Sequence, residues 1–172
     1  MRYFLKIFIT YLSVFFTLLI FKKPAVAQVI DSSFYGWTVQ EFQEDELDDK
    51  ECYIVNFPVN SESNQPSRQK SYIMITRFRG QRTEEVSVYG GFEYKGHSKI
   101  YLMVDDVQFR LPTKKDMAWA KNKHDDLAII QKMLNSASVR VRSDSAIGTF
   151  AIDEYSMQGI TRAYARMREI CK

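Results

Sequence analysis

The chain has 172 residues, 45% of them hydrophobic and 14% aromatic, with 24 Lys and Arg against 21 Asp and Glu. Four of the basic residues and none of the acidic ones fall in the first 27 positions, so the other 145 residues carry 20 against 21, a formal charge of −1. That balance excludes the dominant positive field of a nucleic-acid-binding domain, and the aromatic content without low-complexity tracts excludes a disordered chain.

Arg2 and Lys6 precede an apolar run, Ile7 to Phe21, which is followed by Lys22, Lys23, Pro24 and Ala25-Val26-Ala27. A charged start, a 15-residue hydrophobic stretch and a small-x-small site are the three parts of a secretory signal. The run is shorter than the roughly 20 residues that span a bilayer. The expectation is a signal peptide over residues 1–27, cleaved to leave Gln28 as the mature N-terminus and no stable transmembrane span. An uncleaved anchor is the competing reading, to which Lys22 and Lys23 lend support by charging both flanks. Residues 28–172 then form a single β-rich domain. Cys52 and Cys171 are the only cysteines. In an oxidising compartment a lone pair reads as one structural disulfide, here tethering the C-terminal tail to an early strand. Redox catalysis, the alternative, favours a Cys-x-x-Cys pair that is absent.

Gln28 to Ser33 reads as a short leader. Phe34 to Phe42 alternates, with Tyr35, Trp37 and Val39 on one face, and is predicted to be a strand. An acidic connector, Glu44 to Glu51, leads to a second strand, Cys52 to Val59, which Pro58 ends or puts at an edge. Asn60 to Arg68 is polar with Pro66, a loop. Ser71 to Arg79 and Glu84 to Tyr89 are strands, the latter with Val86 and Val88 facing one way. Ser98 to Val104 and Val107 to Leu111 form a hairpin about Asp105-Asp106. Asp125 to Asn135 places Leu127, Ile130, Met133 and Leu134 at helical spacing. Val139 and Val141 alternate with Arg140 and Arg142, and Ile147 to Ile152 is a last strand with Phe150 and Ile152 as its apolar side.

From Ser156 onward, Met157, Ile160, Tyr164, Met167 and Cys171 recur at intervals of three and four, an amphipathic helix with Ser156 as its N-cap. Arg166, Arg168 and Lys172 complement the negative end of its dipole. Gly159 in the first turn costs roughly 1 kcal/mol relative to alanine, which points to another backbone passing close by. The predicted class is mainly β. It is an antiparallel sandwich or partly open barrel, with the C-terminal helix packed on it and one further short helix.

Several pieces resemble the invasion-associated locus B family of exported alphaproteobacterial proteins. In order they are Gly36-Trp37-Thr38-Val39, Cys52-Tyr53-Ile54, Glu85-Val86-Ser87-Val88, Gly91 with Tyr94-Lys95, Ala118-Trp119-Ala120, and the ending Tyr155-Ser156-Met157-Gln158-Gly159-Ile160-Thr161 with Ala163-Tyr164 and Cys171. The resemblance implies a periplasmic, outer-membrane-associated or surface protein, in a family named for host-cell entry and virulence. It supplies no enzymatic activity and no catalytic residue. Ile160 stands where the family ending has Phe, and the acidic stretch at 44–51 and the single cysteine pair also depart from the pattern.

The remaining motifs have bland readings. The acidic run lacks the spaced ligands and glycine of a calcium loop. Arg77, Arg79, Arg82, Arg140 and Arg142 are candidates for a patch taking anionic lipid or host glycan, against the reading of alternating Arg as a wet strand face. His97 and His124 have no metal-ligand spacing. They support a small periplasmic hydrolase only if folding assembles a triad, since Gly-x-Ser-x-Gly, a Walker loop, a Rossmann glycine set and His-Glu-x-x-His are all missing. Asp105-Asp106 reads as a turn, and Trp37 and Trp119 as core anchors rather than sugar platforms. The expected function is binding of an envelope or host-cell component, with no catalysis, cofactor or metal. An envelope structural or stress-support role without a host is the alternative.

Overall fold

Branched and aromatic side chains at every second position favour extended chain, and extended chain dominates the computed structural model, which describes residues 27–43, 51–78 and 83–172. The segment read as a signal, apart from its last residue Ala27, most of the acidic run, and Arg79 and Arg82 lie outside the described residues. Eleven strands pair antiparallel throughout. They are β1 (Ala27–Phe34), β2 (Trp37–Gln43), β3 (Glu51–Asn56), β4 (Asn60–Ser63), β5 (Tyr72–Phe78), β6 (Glu84–Tyr89), β7 (Lys99–Val104), β8 (Val107–Lys114), β9 (Met117–Trp119), β10 (Ser138–Asp144) and β11 (Phe150–Ser156). The sheet is open and ordered β1-β2-β3-β5-β6-β9-β8-β7-β10-β11-β4. Mainly antiparallel β with two helices is the class the sequence predicts.

Connectivity bends this sheet back on itself. Only Phe57-Pro58-Val59 separates β3, third from one edge, from β4, which is the opposite edge. The two halves therefore face each other, and the carbonyl of Ser156 at the end of β11 accepts from Trp37 Nε1 (3.1 Å) and Asn56 Nδ2 (2.8 Å) on the other half. Trp37, Ile54, Ile73, Ile75 and Val86 from one inner face meet Ile100, Leu102, Val139, Val141 and Tyr155 from the other in one buried cluster. Each fully buried aliphatic side chain contributes roughly 1.5–3 kcal/mol.

Helix α1 (Lys123–Leu134) is capped by Asn122, whose side-chain oxygen accepts from the amides of His124 and Asp125. Its buried face is Asp126, Ile129, Ile130 and Met133. Leu127, read as apolar stripe, is instead exposed. Asp126 is buried because its Oδ1 accepts the amide of Val86 at 2.8 Å, a β6 donor left without a strand partner where β9 stops short.

Helix α2 (Ile160–Ile170) lays Ile160, Ala163 and Met167 on the inner face. Cys171 follows it and is disulfide-bonded to Cys52 on β3, with Cα atoms 5.8 Å apart. Arg77 Nε donates to the Cys171 carbonyl at 3.2 Å, and buried Glu84 pairs with Arg77 at 2.6 Å and Arg168 at 3.7 Å. Tail and sheet are thus joined by a covalent bond and by charge.

The structure corrects several local expectations. Ser156 is the last residue of β11, not a helix cap; the helix starts after Gly159, which sits at φ 91° with no side-chain cap. A Cβ there would collide with the carbonyl of Phe34, so the close backbone inferred from this glycine is β1. The presumed leader is itself β1, paired to β2 through a turn in which Tyr35 is exposed rather than sharing a face with Trp37. The segment read as a loop from Asn60 opens as β4, whose backbone pairs with β11 although all four side chains are exposed. In β11 the buried face is Ala151, Asp153 and Tyr155, opposite to the Phe150 and Ile152 side expected, because Asp153 has a buried cationic partner.

Reduction of the disulfide, or the pair Cys52→Ala and Cys171→Ala, is expected to lower unfolding stability by about 4–5 kcal/mol, since so long a closed loop restricts the unfolded chain strongly. Denaturant midpoints with and without reductant measure this, and an unchanged midpoint contradicts the clamp.

Burial raises the Asp126 carboxyl above its ordinary range, opposed by the Val86 amide and assisted by Asp125. An acid raised in the folded state holds its proton more tightly there than in the unfolded chain. Its contribution is therefore greatest at low pH and is lost as pH rises through the folded value. Asp126→Asn keeps an oxygen for Val86. It is expected to be at least as stable as the parent at pH 7 and to remove this component from a pH-melting profile, whereas a loss of about 1 kcal/mol or more at pH 7 contradicts it.

Candidate binding face

Side chains alternate across a sheet, so each inward residue of β2, β3, β5, β6 and β9 leaves a neighbour pointing outward. Register places these in rows. Gln40, Tyr53 and Thr76 lie side by side across β2, β3 and β5. Val55, Met74, Ser87 and Trp119 form the next row, from β3 to β9. Tyr72, Tyr89 and Met117 form the third. Both helices pack from the inner side, and none of the described elements covers this aromatic face.

The rings fix one another. Tyr72 and Tyr89 stack with centroids 5.0 Å apart at 26°, and Phe57 meets Tyr72 edge-on at 6.3 Å. Lys70 Nζ sits 4.2 Å from the Phe57 centroid. The Tyr53 hydroxyl donates to Gln40 Oε1 at 2.8 Å, and the Tyr89 hydroxyl donates to Gln69 Oε1 at 2.5 Å. Burial is the main reason that the Tyr53 and Tyr72 phenols are raised above their ordinary value. Both stay neutral donors at any physiological pH.

Two clefts flank the stacked pair. One, of about 380 Å³, is lined by Tyr72 with Gln40, Tyr53, Phe57, Met74 and Thr76, and by Phe42 and Glu51. The other, of about 450 Å³, is lined by Tyr89 with Gln69, Phe92 and Glu93, and by Lys115 and Asp116 from the turn between β8 and β9. Volumes of this size suit a small ligand or one unit of a larger one.

A buried ion pair supports the second cleft. Arg68 grips Asp153 with both terminal nitrogens, Nη1 to Oδ1 at 2.8 Å, and both side chains are almost completely buried. Ser61 and Ser71 also donate to Asp153, at 2.7 and 3.1 Å. Arg68 Nε donates to the carbonyl of Gly90 at 2.7 Å, and the guanidinium lies 5.0 Å from the Phe92 centroid. Beside it Gly91 adopts φ 74°, where a Cβ would strike the Gln69 carbonyl. The floor of this cleft is therefore held by charge and by backbone shape.

The residues singled out by sequence are scattered. Trp37 is in the core as expected, but Trp119 lies half-buried on the outer face, beside Ser87. Arg77 is occupied by Glu84 and Cys171, far from any patch. Arg140 and Arg142 are exposed on the outer face of β10, where Glu154 neighbours Arg140 and Asp144 lies 4.0 Å from Arg142. Asp105 and Asp106 form the β7–β8 turn. His97 and His124 are exposed and line neither cleft. Among the described residues, no group of three or more His, Cys, Asp or Glu is placed to hold a metal, and no helix is long and apolar enough to cross a membrane.

Sequence reasoning missed Tyr53, Tyr72, Tyr89 and Arg68. A signal was present for the first two: Cys52 to Phe57 and Tyr72 to Ile75 are apolar on both alternating faces, the pattern of a strand covered on two sides. No protein-family model, curated protein or solved structure matches the chain.

Arg68→Met is expected to cost about 3–5 kcal/mol by leaving the Asp153 carboxylate buried without its cation. The double variant Arg68→Met with Asp153→Leu should recover much of that loss. Thermal unfolding of the three proteins tests this, and equal stability of the single and double variants contradicts it.

Proposed function

We propose that this chain is an exported domain of the bacterial envelope that acts by contact and carries out no catalysis. The observation that supports this reading is the aromatic face that none of the described elements covers, with a cleft beside Tyr72 and another beside Tyr89. Tyr53, Tyr72, Met74, Tyr89 and Trp119 are half-buried there, and aromatic rings gathered with polar tips at a surface are typical of contact sites. The disulfide fits an oxidising compartment. The charged and apolar start of the sequence fits export to it. The resemblance to invasion-associated locus B proteins points to the same place, and to a periplasmic or surface role that in pathogenic relatives extends to host-cell entry. The histidines are exposed and line neither cleft, which gives a hydrolase reading no support.

Co-sedimentation of the purified oxidised protein with isolated envelope and host-cell membrane fractions tests the reading. The wild type is expected to sediment with at least one fraction. Tyr72→Ala with Tyr89→Ala should weaken that by about tenfold or more, as loss of a buried aromatic anchor does. His97→Ala with His124→Ala should change nothing. Binding that survives loss of the tyrosine pair, or absence of binding in the wild type, contradicts it.

A further inference from the structure

We propose that the paired clefts bind a linear neutral oligosaccharide, with one sugar ring seated beside Tyr72 in one cleft and another beside Tyr89 in the other. This rests on the reading of that face as the contact surface and names its ligand class.

Three features select this chemistry. The first is repetition. Tyr72 lines one cleft and Tyr89 the other, with the two rings stacked 5.0 Å apart. The two clefts share no lining residue. A single sugar cannot occupy both places. A chain of three or more can, its ring-carbon faces lying on the aromatic walls and its middle unit crossing the top of the stack.

The second feature is the mixture of groups. Beside the rings stand two carboxamides, Gln40 and Gln69, each oriented by a tyrosine hydroxyl, and the Thr76 hydroxyl. A pyranose offers an apolar face and a rim of hydroxyls that both donate and accept, so it meets rings and amides together. A proline-rich peptide offers apolar rings and carbonyl acceptors but almost no donors. It would leave these polar side chains desolvated and poorly paired.

The third feature is charge. Glu51 lines one cleft, with Lys70 over its Phe57 wall, and Glu93 and Asp116 line the other with Lys115. Arg68 beneath is committed to Asp153. These charges leave no cationic excess, which disfavours phosphate, sulfated glycan or an anionic membrane.

Isothermal titration calorimetry on the full purified chain tests the assignment, with cellohexaose, chitohexaose and maltohexaose as neutral probes. Glucose, a heparin hexasaccharide and a proline decamer serve as comparisons. At least one neutral hexaose is expected to bind, at least tenfold more tightly than glucose, with little dependence on salt. Tyr72→Ala should weaken it at least tenfold, whereas Tyr72→Phe, which retains the ring and the stack, should bind within about threefold of wild type. Matching thermal midpoints for the variants show that the loss is local.

The assignment is overturned if no neutral hexaose binds, if Tyr72→Ala binds as wild type does, or if the heparin fragment or the proline decamer binds in preference. It is also overturned if sedimentation shows a dimer that Tyr72→Ala dissolves. Membrane co-sedimentation that depends on Tyr72 and Tyr89, with no hexaose binding, removes the sugar and leaves the contact face standing; loss of both removes the two together.

Discussion

The bond between Cys52 and Cys171 decides which side of the sheet is filled and which is left open. Cys52 points inward from β3, so the tail that carries Cys171 must end on the inner side, and α2 is drawn there with it. The Arg77 link to the Cys171 carbonyl and the Glu84 pairs with Arg77 and Arg168 hold the same end by charge. Ile160, Ala163 and Met167 complete the core from that side. Once both helices are spent on the inner face, the outer face of β2, β3, β5, β6 and β9 has no described element to cover it.

The two halves of the sheet treat that exposure differently. Outside β7, β8 and β10 the residues are largely of the kind that water tolerates, including Gln108, Arg110, Arg140 and Arg142, with Arg110 5.9 Å from the Tyr101 ring centroid. Outside β3, β5 and β6 they are Tyr53, Val55, Tyr72, Met74 and Tyr89. Cross-strand aromatic and branched pairs of this kind contribute roughly 0.2–1 kcal/mol each to the sheet. That gain needs no aromatic residue in particular. The clustering of rings on one half, with oriented carboxamides at its margins, is the feature on which the proposed contact surface rests.

Much of the architecture was legible in the sequence because its signals are local. The lone cysteine pair, the three-and-four spacing from Ile160 to Cys171, and the Val139/Val141 alternation each lie within one segment or admit one partner. Glu84 to Tyr89 was placed to the residue. The failures share a cause: the deciding neighbour lies far away in the chain. Asp153 is buried because Arg68 reaches it from 85 positions earlier, and Asp126 because the Val86 amide is 40 positions back. Neither pairing has a sequence spacing to betray it. β1 has weak periodicity and is held by β2 and by the pairing of Asp31 with Arg166 on α2. The candidate site was the least legible part, since it is assembled row by row from five strands and its residues never stand together in the sequence.

The most direct measurement of the central claim is hydroxyl-radical footprinting of the oxidised protein, alone and with the envelope or host-cell membrane fraction it sediments with. Protection is expected at Tyr53, Tyr72, Tyr89 and Trp119, with Tyr35 and Tyr101 labelled equally in both states. Protection confined to Tyr101 and its arginine-bearing face, or at Tyr35 and the β1 edge, would contradict the account and move the contact surface to another side of the molecule.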